Sequence, residues 1–151
     1  MRGRGFLAAF LLGLLLLVMM VSGCVKGPTV SEVTAPNRAN LLRLSIGMSK
    51  QETLSIMGTD EMTAFYVPPG GKGAGLLRRK AITITNPYRS EILQARDKTL
   101  EVVYYVTDVK REDAAITDDE LTPLVFDNGK LIGWGWSFLV ESAKKYEIRI
   151  R

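Results

Sequence analysis

Cys24 is the residue in this chain best equipped for covalent chemistry. Its thiolate is a soft nucleophile. As the single cysteine of 151 residues it cannot close an internal disulfide. The other reactive candidates are carboxylates. Residues 110–123, KREDAAITDDELTP, hold Glu112, Asp113, Asp118, Asp119 and Glu120. Paired carboxylates can divide acid and base roles, but this run lacks the spacing of a calcium loop. Thr117 with Glu120 reads instead as a capping box on one helical turn, stopped before Pro123. Histidine is absent, which removes the commonest general base and metal ligand. The glycine-rich residues 68–80, PPGGKGAGLLRRK, suggest a phosphate cradle and fail its test. Tyr66 stands where a P-loop needs its first glycine, and Gly73 where Ser or Thr would hold magnesium. Leu76 replaces the last glycine of a dinucleotide fingerprint. The expectation is no catalytic residue, no cofactor and no metal site. Residues 68–80 become a surface loop, whose Lys72, Arg78, Arg79 and Lys80 could touch anionic headgroups.

The setting of Cys24 explains its isolation. Arg2 and Arg4 lead, and residues 6–21 then run without a charged or polar side chain. A charged start, a short apolar run and small residues at its end describe a secretory signal. The run of 16 residues falls short of the roughly 20 that span a bilayer core as a helix. VSGC, residues 21–24, resembles the lipobox of bacterial lipoproteins. That resemblance implies alkylation of Cys24 by a diacylglycerol, cleavage between Gly23 and Cys24, and acylation of the new amine. It makes residues 1–23 a signal peptide. One acyl chain binds a membrane only marginally, so two or three give a stable anchor. In Gram-negative lipoproteins an aspartate after the cysteine retains the protein in the inner membrane. Val25 stands there, which implies the outer membrane, facing the periplasm.

The remaining organisation is that of one modest domain. Setting aside residues 1–23 leaves 18 basic against 16 acidic residues, too near balance to argue for nucleic acid. Residues 24–36 read as the lipidated cysteine and a flexible tether, its prolines and glycine breaking any period. Twelve such residues could reach about 40 Å. The folded domain is expected over 37–151. Residues 37–59 predict two short helices. Asn37 caps the first, an apolar stripe of Leu41, Leu42 and Leu44 follows, and Gly47 ends it. Ser49 and Glu52 form a capping box for the second, closed by Gly58.

Leu44, Gly47, Met48, Ser49, Glu52, Met57 and Gly58 together resemble the start of the SmpA/OmlA domain, the BamE-like outer-membrane lipoproteins. The resemblance implies two small helices against a three-stranded antiparallel sheet, and a place among accessory proteins of outer-membrane assembly. Thr59 stands where that family has a proline, and residues 60–97 are longer than its pattern. This suits a separate branch rather than the assembly subunit itself.

The rest predicts an α+β fold. Strands are expected over 62–67, 81–85, 90–96, 99–107, 122–126 and 131–138, with a short closing helix over 138–146. Leu100, Val102, Tyr104 and Val106 share one face of their strand while Val103 and Tyr105 line the other, the pattern of a central strand. Asn128-Gly129 marks a hairpin. Read at period two, LIGWGWSF puts Ile132, Trp134, Trp136 and Phe138 on one face and Gly133 and Gly135 on the other. Those tryptophans either fill the core or form an aromatic platform. Two functions follow: an interaction or scaffolding module working with another envelope protein, or a module binding a small ligand or cell-wall polymer through that face. The possible interaction surface is Trp134, Trp136, Arg78, Arg79 and Lys80.

Overall fold

The computed structural model describes residues 27–69, 78–94 and 98–148. Its first element, helix α1, spans Val30–Leu41 and begins at a Thr29/Glu32 capping box within the stretch expected to be tether. The Thr29 hydroxyl accepts from the Glu32 amide at 3.3 Å, and the Glu32 carboxylate accepts from the Thr29 amide at 2.7 Å. Glu112, distant in the chain, accepts from the Val30 and Ser31 amides at 3.0 and 3.2 Å. These are first-turn donors that a helix leaves unpaired.

Two expectations fail here. Residues 30–36 are helix rather than tether, and Asn37 lies inside α1 rather than capping it. The buried residues Val30, Thr34 and Asn37 repeat at i, i+4 and i+7, one face of a helix. Two of the three are polar, so an apolar pattern does not display them. Pro36 sits inside the helix at the loss of one backbone bond. Helix α2, Lys50–Met57, follows expectation: the Ser49 hydroxyl accepts from the Glu52 amide at 3.2 Å, and Glu52 accepts from the Ser49 amide at 2.8 Å. Gly58 closes it.

Strands β1 (Glu61–Tyr66) and β2 (Lys80–Thr85) pair as an antiparallel hairpin. Strands β3 (Arg89–Gln94), β4 (Thr99–Val106), β5 (Leu121–Asp127) and β6 (Lys130–Trp134) form a second antiparallel sheet in that order. Asn128 and Gly129 turn between β5 and β6 with φ of 48° and 72°, the positive pair that a tight hairpin requires. A third helix, α3, spans Trp136–Lys145. The fold is α+β, and its helices are not all N-terminal, because α3 lies near the end of the chain.

Strand β4 is central and buried on both faces. Leu100, Val102, Tyr104 and Val106 join one cluster with Val30 of α1, Ala64 and Ile84 of the hairpin, and Leu139 of α3. Val103 and Tyr105 join the other with Leu44, Met57 and Leu131. One face is thus covered by α1, the hairpin and α3, the other by α2 and the turn before it.

The run 131–138 is not one strand. Leu124 pairs with Trp134, Val125 with Gly133 and Phe126 with Leu131, which leaves Ile132 as the extra residue of a bulge. One extra residue reverses the phase of everything after it. Trp134 therefore falls on the α2 face, and Gly133 on the other face under Phe138: a Cβ on Gly133 would lie 2.5 Å from the Phe138 ring. Gly135 then ends the strand at φ 89°, ψ 157°, a region open essentially to glycine alone, and α3 begins.

Candidate functional site

Cys24 and Gly23 lie outside the described residues. The chain that follows them is described from Gly27, and it is held tightly. The Gly27 carbonyl accepts from Arg79 Nη2 at 2.8 Å, and the Pro28 carbonyl from the Phe65 amide at 2.8 Å. The Phe65 ring lies so close that a Cβ on Gly27 would meet it at 2.4 Å. The Arg79 guanidinium also stands 5.6 Å from the centre of that ring. Arg78 Nη2 donates to the Pro68 carbonyl at 3.0 Å, while Lys80 is exposed. These three cations, expected on a free loop, stand at the loop end of the β1–β2 hairpin, where β2 begins. Arg79 ties that end to the residues leading out of Cys24. The nearby Glu32 carboxyl is held below its ordinary range, first by the Thr29 amide, then by the Thr29 hydroxyl, with a smaller pull from Arg79.

Trp134 and Trp136 do not form one surface. Trp134 packs among Leu124, Phe126 and the α2 residues, Trp136 on the opposite face of the sheet. The Trp136 indole N–H donates to the Leu121 carbonyl at 2.8 Å and the Asp118 carbonyl at 3.1 Å, and its ring lies 5.9 Å from that of Tyr104. Both tryptophans are half-buried. The bulge at Ile132 and the helix start at Trp136 break the shared aromatic face.

The acidic run also resolves into structure. Glu120 is buried, and its carboxylate accepts from the amides of Lys110 at 2.7 Å and Thr117 at 2.9 Å. Its partners are backbone donors that shape the 107–117 loop, not a second carboxylate. The cavity inside that loop holds about 330 Å³ and is lined by Lys110, Arg111, Asp113, Thr117 and Asp119 besides Glu120. Glu112 is occupied at the start of α1. Among the described residues no acidic group of three or more is placed to hold a metal, and no helix is long and apolar enough to cross a membrane.

Two features carry no local signal in the sequence. Asn37 and Asn86 form a reciprocal buried amide pair: Asn37 Nδ2 donates to Asn86 Oδ1 at 3.0 Å, and Asn86 Nδ2 returns to Asn37 Oδ1 at 2.8 Å. Asn37 Nδ2 also reaches the Val106 carbonyl at 2.9 Å, tying α1 to β4. The second feature is an exposed apolar corner. Leu42 and Ile46, 89% and 70% exposed, sit on the turn between α1 and α2. That turn leads into a groove along α2 lined by Met48, Gln51, Glu52, Ser55 and Ile56. Leu42 was expected in the apolar stripe of the first helix; the inward face runs through Val30, Thr34, Asn37 and Leu41, and Leu42, still helical in backbone, falls one residue out of that phase.

No curated protein and no solved structure matches the chain. A family model described as "Protein of unknown function (DUF3192)" matches residues 18–140, a stretch that takes in Cys24, α1, α2, all six described strands and the start of α3. With that much of its length matched, the chain belongs to the DUF3192 family.

Proposed function

We propose that this chain is a non-enzymatic bacterial envelope lipoprotein, anchored through lipid on Cys24, whose domain is an interaction module for another envelope protein. The anchor is supported by VSGC behind its apolar run. With Val25 after Cys24, the proposed location is the outer membrane, facing the periplasm. The resemblance of residues 44–58 to SmpA/OmlA domains extends the proposal to outer-membrane protein assembly or envelope integrity. So does the order of two short helices followed by antiparallel strands.

The observation that carries the interaction reading is the apolar corner at Leu42 and Ile46. Single exposed leucines are ordinary. Two large exposed aliphatic side chains within five residues of one connection, followed in the chain by a groove along α2 that contains Met48 and Ile56, concentrate apolar surface in the way that marks a protein contact. A cell-wall or ligand platform would need Trp134 and Trp136 on one face, and they pack on two.

A photo-crosslinking side chain at position 42 or 46, in the lipidated protein in its own membranes, should give one discrete protein adduct. The same side chain at Lys144, on α3, should not. Equal labelling at all three positions, or adducts to lipid alone, would refute the interaction module.

A further inference from the structure

We propose that the loop end of the β1–β2 hairpin, with Arg79 and Lys80 beside Gly27, is a docking surface for anionic lipid headgroups, which holds the domain flat against the membrane. The proposal rests on the Cys24 anchor. It differs from an ordinary lipoprotein arrangement, in which a long tether lets the domain stand off.

The length of the leash comes first. From Cys24 to Gly27 there are three residues, at most about 11 Å of extended chain. The twelve-residue tether expected from sequence would have allowed about 40 Å. No slack can be drawn from Gly27 onward without breaking contacts. Its carbonyl is bonded to Arg79, the Pro28 carbonyl is bonded to β1, and Phe65 lies against the Gly27 backbone. A lipid on Cys24 therefore keeps the hairpin end close to the headgroups whatever residues 25 and 26 do.

The chemistry of that end comes second. Among the described residues of this end, Arg78, Arg79 and Lys80 are basic and none of 67–69 or 78–80 is acidic. Arg78, Arg79 and Lys80 enter β2 consecutively, and Lys80 is exposed. Val67, on the opposite strand end, is 43% exposed. The opposing charges nearby are Glu32, engaged with Thr29, and Glu112, engaged with the Val30 and Ser31 amides. The Debye length at physiological salt is about 8 Å, comparable to the leash of at most about 11 Å, so the leash brings these cations within reach of a surface potential that a partly extended chain alone would let decay. A basic residue at such a surface raises membrane occupancy about fivefold. A membrane of anionic lipid supplies a plane of phosphates to which Lys80 can bind without losing the Arg79 bond to Gly27.

The orientation has a consequence for the apolar corner. Helix α1 starts at the hairpin end and ends beside Leu42. Its 12 residues rise about 18 Å. A domain seated on the hairpin end presents position 67 to the headgroups and position 42 at the far end of α1.

The test uses the full, lipidated chain in vesicles, with a fluorophore on Val67→Cys or Leu42→Cys and a quencher on the lipid headgroup. Mass spectrometry of the Cys24 peptide comes first. An unmodified Cys24 would overturn the lipoprotein reading and this proposal with it. With Cys24 lipidated, quenching should be several-fold stronger at 67 than at 42 on phosphatidylcholine vesicles carrying phosphatidylserine. It should weaken on pure phosphatidylcholine, in high salt, and in Lys80→Glu. Equal quenching at 67 and 42 would overturn the docked orientation while leaving the anchor standing. Equal quenching at 67 on neutral and anionic vesicles would show that the short leash alone sets the distance, and would overturn headgroup recognition.

Discussion

Replacing Asn37 by alanine should destabilise the domain far more than a surface asparagine would. Asn37 is 2% exposed and Asn86 8%. Three hydrogen bonds meet at Asn37: two shared with Asn86 and one to the Val106 carbonyl. Asn37→Ala leaves the Asn86 amide and the Val106 carbonyl buried without those partners. A net loss of about 1 kcal/mol per bond, and up to about 3 kcal/mol for a buried group left unsatisfied, gives about 3–5 kcal/mol in total. Domains of this kind are stable by only about 5–15 kcal/mol. The melting temperature should fall by about 10–20 °C. The pair can be isolated by a double-mutant cycle with Asn86→Ala, read by urea denaturation of the lipid-free chain. The second substitution should cost little once the first is made, with a coupling of about 2 kcal/mol for the two shared bonds. If Asn37→Ala costs less than about 1 kcal/mol, or the two substitutions simply add, the amide pair does not join α1 to the sheet.

Gly133→Ala and Gly135→Ala should each cost about 1–3 kcal/mol, for different reasons: the first drives a methyl into Phe138, the second forces a side chain onto a glycine-only backbone with open space around it. Phe138→Leu should relieve the first and not the second in thermal melts; rescue of both, or of neither, would contradict the bulge geometry at Ile132. Cys24→Ser should leave an uncut, lipid-free precursor by mass spectrometry, and a variant processed and acylated like the parent would end the anchor proposal.

What could be read from the sequence was what is local. The Ser49/Glu52 box, the Gly58 stop, the Asn128-Gly129 turn and the alternation in β4 depend on residues a few positions apart, and each is where it was expected. The errors arise mostly where distant residues decide. Helix α1 has a local start signal, the Thr29/Glu32 box, but it is overlooked among prolines and glycine; Glu112 reinforces it from 82 positions away and Asn37 finds Asn86 and Val106 in the core. Pro36 and two polar stripe residues disguise that helix as a linker. The tryptophans were misassigned because period two holds only until the first bulge, and Ile132 is one. No run of residue types in LIGWGWSF announces the slip. Gly133 and Gly135 read as one bare face, yet one admits a phenyl ring and the other permits a backbone turn into α3.

Those two corrections change the functional argument more than the fold. Moving the start of structure from Asn37 to Gly27 removes most of the tether that would have let the domain range over tens of ångströms. On the proposed anchor and partner, the distance between the two is set by α1. It is capped at one end by Thr29 and Glu112, pinned midway by Asn37 to Asn86 and β4, and finished at the other end by exposed Leu42. A helix tied at three points is stiff where a tether of proline and glycine is not. The apolar corner is therefore offered at a fixed height above Cys24, within about 18 Å along the helix axis plus the short leash. A partner that meets Leu42 and Ile46 must itself come close to the membrane, which favours another membrane-held protein over one that diffuses freely.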